Sequence, residues 1–277
     1  MILSFIKAIE RDWDVEDEGP MHDILGIEVK YNEDGSITLH LQTYIDKLVA
    51  EFLPNGAPSG IKGNVPYSQN LDKISWHATR LRTDSKGTCA HPNLVKEYQR
   101  KLGCLMYVAN CTRPDIAYAI SMHCRNMSSP TPELLSELDW VFAYLGRNSG
   151  VGLTYTNMHS EPEGYNDASF EVGRSTSGYN IMWQGATISW GSTKHASTSL
   201  SSCEAEIYAL SEGAKALVYC ISASSLQAWA CRLMGPLRVL RIIKVRVISH
   251  TIRSITRGPS TSLVATFIYG TWWRRWS

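Results

Sequence analysis

After Glu212 the sequence contains no acid. Residues 213–277 carry 10 Lys and Arg without one Asp or Glu, whereas residues 1–212 carry 17 Lys and Arg and all 26 acids. A net charge of +1 conceals this asymmetry. Folded surfaces ordinarily mix both signs, so the C-terminal quarter reads either as a basic arm for nucleic acid or membrane or as a segment not shaped as a domain surface. No apolar run reaches about 18 residues, which excludes a long membrane-spanning helix. The seven cysteines form no Cys-x-x-Cys pair, which points to free thiols in a reducing compartment, cytoplasmic or nuclear. The opening "MILSFIKAIERDWD" turns acidic too soon after its apolar start to act as a secretory signal.

What is present suits a globular protein. Hydrophobic residues make up 44% of the 277 positions, enough to build a core in one large or two ordinary domains. Ile27, Val29 and Tyr31, then Ile37, Leu39 and Leu41, alternate around Asn32-Glu33-Asp34-Gly35, the pattern of a β-hairpin. Tyr44, Ile45, Leu48, Val49 and Phe52 follow helical spacing, and Pro54 closes that helix. Residues 54–91 are rich in Pro, Gly, Ser and Asn and predict a long irregular connection. Residues 92–148 predict three helices. Pro114 and Asp115 suit a first turn, and Thr131, Pro132 and Glu133 form a cap, a first helical position and an acidic first turn. From Gly150 the pattern changes to four short strands, "VGLTYT", "GYNDASF", "SGYNIMW" and "ATISW", followed by a helix. A second domain is therefore expected near residue 150.

That last helix opens with "LSSCEAEIYAL". Ser201 and Glu204 stand three apart, the spacing of a capping box, which by itself accounts for Glu204. Glu206 has no such account. Ala209, Leu210 and Ala214 follow it at helical spacing, so it is expected to border the apolar face, where an ionised carboxylate needs a cation, a donor or solvent. Asp167 ends a strand among uncharged neighbours. A strand Asp and an early-helix Glu are a plausible start of a divalent-cation site built from hard oxygen ligands, one that needs further carboxylates to hold two ions.

From about residue 15 to about residue 235 the chain resembles the Pol polyproteins of copia-type LTR retrotransposons. The resemblance rests on "TRPDIAYA", "STSGY" and "LSSCEAE", in that order, within "LGIEVKYNEDGSITLHLQTYIDKLVAEF" and its collinear continuations. It implies an α/β (α+β) chain. Residues 1–149 would be the C-terminal reverse transcriptase and connection region, an incomplete polymerase thumb made of a hairpin plus helices. Residues 150–235 would be a truncated RNase H-like domain with a mixed sheet. The family pattern places catalytic carboxylates on Asp167 and Glu206, with Glu204 the neighbouring acid, and implies that they bind Mg²⁺ and cleave RNA in an RNA–DNA hybrid. Lys194 and His195 form an expected exposed pair that either contacts substrate phosphate or is solvated surface.

Against that family the sequence is incomplete. It has no Tyr-x-Asp-Asp stretch for polymerase metals, and nothing after Glu212 supplies the later RNase H aspartates. A family segment Asp-Asn-Gln-Gly-Ala, back-translated and read one nucleotide later, gives Ile-Ile-Lys-Val-Arg, which is Ile242 to Arg246. The same shift turns Arg-Asp-Met-Val-Ala-Ala-Val into Gly270 to Trp276. Residues 236–277 are therefore expected to be an aberrant basic tail read out of frame, the alternatives being a nucleic-acid or membrane-binding arm or a β-prone segment. The whole predicts a polyprotein fragment with little or no turnover, because two of about four ligands hold Mg²⁺ poorly. The other expectation is a non-catalytic remnant that binds nucleic acid or packs against another subunit, with self-association possible and no membrane partner.

Overall fold

A computed structural model describes residues 13–58, 65–84, 91–156, 161–170, 174–234 and 238–245. It divides into two compact units, His22–Leu226 and the combination of Met1–Met21 with Gln227–Ser277. The chain mixes helices with antiparallel sheets.

In the larger unit the expected hairpin is present. Strands β2 (Asp23–Ile24), β3 (Ile27–Tyr31) and β4 (Ile37–His40) pair in order. The turn closes through Asn32 N–H to the Ser36 carbonyl at 2.9 Å, and Gly35 adopts φ 79°, a left-handed conformation that favours glycine. Asp34 Oδ1 accepts from the Ser36 hydroxyl at 2.6 Å and from the Ser36 amide at 2.9 Å, and these two bonds, the hydroxyl foremost, hold its carboxyl below the usual range. A fourth strand, β5 (Leu153–Tyr155), joins the open side of β4. Residues on both sides of position 150 thus share one sheet.

The core lies among helices α1 (Gln42–Phe52), α2 (Leu71–Asp84), α3 (Pro92–Cys111), α4 (Ala117–Cys124) and α5 (Pro132–Arg147). Leu134, Leu138, Val141 and Leu145 recur at helical spacing on α5 and are fully buried. They meet Tyr98, Leu102, Leu105 and Val108 of α3 in the same cluster. Each such leucine contributes about 1.5–3 kcal/mol through burial. Thr131 caps α5 as its sequence predicts, its Oγ1 accepting from the Leu134 amide at 3.4 Å. One expectation needs correction: the stretch 54–91 is not irregular throughout, because Leu71–Asp84 forms the 14-residue helix α2.

A second sheet contains β6 (Glu163–Ser169), β7 (Thr176–Trp183) and β8 (Ala186–Lys194), in that order and antiparallel. The expected mixed sheet is thus replaced, among the described strands, by antiparallel pairing alone. Helix α6 (Ser202–Met234) follows. Its inward face repeats Ala205, Ala209 and Gly213, three small buried residues one turn apart. They let the helix come very close to the sheet: a Cβ on Gly213 would fall 1.3 Å from Asn166 Oδ1.

In the smaller unit, β1 (Trp13–Pro20) pairs antiparallel with β9 (Arg238–Val245). The β-prone character of the basic segment is therefore realised in its first residues. The out-of-frame expectation for the rest of that segment, 246–277, lies outside the described residues.

Candidate functional site

The three-stranded sheet positions the expected catalytic carboxylate. Strand register pairs Asp167 with Gly178, and Gly178 with Ser192. Side chains alternate across a strand, so the neighbouring Asn166 takes the opposite face. Asn166 is the residue that meets Gly213 of α6, and two positions earlier Gly164 meets Leu217 of the same helix. Asp167 therefore projects from the face turned away from α6. That other face is covered by helices of the core: Trp190, in register with Asn180 and Tyr165, donates its Nε1–H to the Ala109 carbonyl of α3 at 2.9 Å.

The two glutamates stand at the start of α6. Ser201 Oγ accepts from the Glu204 amide at 3.1 Å, and Glu204 Oε2 accepts from the Leu200 amide at 2.7 Å. The predicted cap is present, with the carboxylate reaching one residue further back than Ser201. Glu206 is exposed. The expected apolar face of Ala209, Leu210 and Ala214 is corrected by the observed one. Leu210 is 59% exposed and Ala214 is exposed, while Ala205, Ala209 and Gly213 point inward. This rotation leaves Glu206 toward solvent, where a carboxylate needs no partner.

Asp167, Glu204 and Glu206 are thus not brought together. The first is on one side of the sheet, and the other two are on the helix that covers the opposite side. Among the described residues no group of three His, Cys, Asp or Glu is placed to hold a metal ion. The donor set does not fit a pair of Mg²⁺ ions, which require converging oxygens in near-octahedral order.

The Lys-His pair also divides. Lys194 is exposed. His195 is only 5% exposed, which corrects the expectation of a surface residue. Its Nε2 is hydrogen-bonded to Ser177 Oγ, its Nδ1 lies 3.2 Å from Ser199 Oγ, and its ring packs 5.0 Å from that of Tyr208. With both nitrogens engaged internally, this imidazole ties the end of β8 to β7 and to the lead-in of α6, out of reach of a phosphate.

A cleft of about 650 Å³ opens on the face that carries Asp167, between the sheet and the segment Pro114–Tyr118. At its edge the "TRPD" motif is a clasp. Arg113, 1% exposed, donates Nε to Asp115 Oδ1 at 3.0 Å and Nη2 to Oδ2 at 2.8 Å. Its Nη1 reaches the Asn148 carbonyl at 2.6 Å, and Tyr144 Oη donates to Asp115 Oδ2 at 2.7 Å. Burial pushes the Asp115 carboxyl up, but the hydrogen bonds and charge of Arg113 more than offset it and leave the group below the usual range. Sequence reasoning took Asp115 only as a partner of a helix dipole. An Arg and an Asp flanking a proline at a helix start was the available signal for a buried ion pair.

Comparisons with known proteins agree with the motif resemblance. The Pol polyprotein of transposon TNT 1-94 from Nicotiana tabacum is 29% identical over 226 residues, 79% of this chain and 16% of the polyprotein. The Pol polyprotein of transposon RE1 from Arabidopsis thaliana is 28% identical over 245 residues, 86% of this chain and 15% of its own length. Secreted RxLR effector protein 161 of Plasmopara viticola is 36% identical over 127 residues, 44% of this chain and 89% of that protein. No family model and no solved structure matches the chain.

Proposed function

Because the chain belongs to the copia-type retrotransposon Pol polyprotein family, of whose polyproteins it spans about one sixth, we propose that it is a catalytically silent fragment of the reverse transcriptase–RNase H region. On this reading residues 1–149 derive from the polymerase connection, residues 150–235 derive from the front of the RNase H domain, and the tail is a by-product of a shifted frame. One argument supports the proposal: Asn166 meets Gly213 of α6, so strand alternation turns Asp167, one of the two acids that match the family pattern, away from the helix that carries the other, Glu206. Two-metal hydrolysis needs both on one side to hold the attacking water and the leaving oxygen in line. What the fragment retains is a scaffold whose remaining activities are binding and packing.

The test is cleavage of the RNA strand in a labelled RNA–DNA hybrid with Mg²⁺, using the full chain beside Asp167→Asn and Glu206→Gln. The expected result is cleavage at the no-protein background in all three. Wild-type cleavage abolished by either substitution would restore the lineage chemistry and overturn the reading.

A further inference from the structure

The cleft beside Asp167 has a composition that polynucleotide chemistry does not use. On the face of Asp167 it is lined by Tyr165, Asn180 and Trp190, with Asp115 and Tyr118 across from them, and no lysine, arginine or histidine lines it. Phosphate binding depends on cations, so this lining disfavours a nucleic-acid backbone. The two aspartates are not equivalent. Asp115 is answered by Arg113 and Tyr144. Asp167 makes no ion pair or hydrogen bond among the described residues and is exposed at the mouth.

Three further groups share the face of Asp167. Tyr165 is two residues earlier on the same strand and 54% exposed. Asn180, its register partner, has a buried Oδ1 that accepts no hydrogen bond among the described residues, an acceptor left unanswered unless a donor arrives. Trp190, next in register, is fixed by its bond to Ala109, so its ring needs no ordering on binding. At the other end of the cleft Arg125 Nη2 already donates to Thr176 Oγ1 at 2.9 Å. The open end for a cation is therefore the one bounded by Tyr165, Asn180 and Trp190.

A carboxylate, an unsatisfied amide acceptor and fixed aromatic rings complement one chemical group well. A guanidinium is planar, always charged and weakly hydrated. It presents several N–H donors in its plane while its faces lie on aromatic rings. An ammonium, compact and strongly hydrated, matches the flat walls less well. We propose that the cleft binds an arginine side chain presented by a basic segment of a protein partner. The inference does not depend on whether the chain cuts a hybrid.

The experiment titrates the full chain into a fluorescein-labelled peptide of alternating Arg and Ser, read by anisotropy, with lysine and citrulline versions of the same peptide. Saturable binding of the arginine peptide is expected, weaker binding of the lysine peptide, and none of the citrulline peptide, which keeps the shape but loses the charge. Asp167→Asn should weaken binding about tenfold, as expected for one charge-assisted contact, and Tyr165→Ala should weaken it as well. Both residues are exposed, so circular dichroism should confirm an intact fold. Glu33→Gln, an equal change in net charge at the distant hairpin turn, should leave binding unchanged. No binding of the arginine peptide, equal binding of the citrulline peptide, or equal loss in Glu33→Gln and Asp167→Asn would each overturn the proposal. So would a single-stranded oligonucleotide that binds and loses affinity in Asp167→Asn.

Discussion

Arg113 is a cation held almost wholly out of water, and its neighbourhood explains how. All three of its nitrogens are engaged: Nε and Nη2 bond to Asp115, Nη1 bonds to the carbonyl just past α5, and the Tyr144 ring lies 5.5 Å from Cζ. A buried pair is weak evidence of net stabilisation, but removing one partner strands the other. Arg113→Ala is therefore expected to cost about 3–5 kcal/mol, read as a lowered urea midpoint. Arg113→Lys should recover part of that loss, since it restores the charge but not the fork of donors. Little change in Arg113→Ala would show that the clasp contributes nothing. The residue types of this clasp were visible in "TRPD", but the third partner, the Asn148 carbonyl, stands 35 positions away and left no local trace. His195 was misjudged for a related reason. Its hydroxyl partners Ser177 and Ser199 are small residues that polarity scales treat as surface.

Elements with strong periodicity were legible. The hairpin, α1, α3, α5 and the four strands of residues 150–195 announced themselves through alternation, helical spacing and caps. Helix α2 did not. Its buried positions are Leu71, Ser75 and Ala78, two of which carry no large apolar group. Ser75 is tolerated inside because Asn126 Nδ2 donates to its Oγ at 3.0 Å. The inward face of α6 was misread by about one residue because its contact with the sheet is made by Ala and Gly, while Leu210, the hydrophobe that drew the assignment, is largely solvated. Close approach matters in the other sheet too. A Cβ on Gly152 would lie 2.3 Å from the Leu39 carbonyl oxygen, which is backbone and cannot rotate aside. Gly152→Ala should force β5 off β4 and cost about 1–3 kcal/mol, the usual size of an overpacking penalty, measured as a lower melting temperature. Gly103→Ala, where a Cβ meets nothing within 4 Å, serves as the control and should not destabilise.

For the molecule as a whole, acid is the expected weakness. His123 is fully buried, and burial pushes its pKa down to about 3. Its Nδ1 lies 2.9 Å from Tyr98 Oη. Between about pH 6.5 and 3 the unfolded chain binds a proton there that the folded chain refuses, so stability falls as the pH falls, by up to about 1.4 kcal/mol per pH unit. Urea midpoints at pH 7 and pH 5.5 should show the decline, and His123→Gln should reduce it. An identical decline in the variant would assign the acid sensitivity elsewhere. The family and the mixed helix–sheet character were legible from motifs spread along the chain. The side of the sheet on which Asp167 stands was not, because a sequence states that neighbours alternate without stating which of them meets the helix. A single-residue slide of Glu163–Ser169 along β7 would exchange Asp167 with Asn166. The same slide would carry Tyr165 into the place of Gly164, where even a Cβ would lie 3.3 Å from Ile181 Cδ1 and 3.5 Å from Leu217 Cδ2 of α6. The tight seam between helix and sheet thus works as a steric lock on pairing, so that exchanging the two faces of the strand would require the helix to lift before the strand could shift.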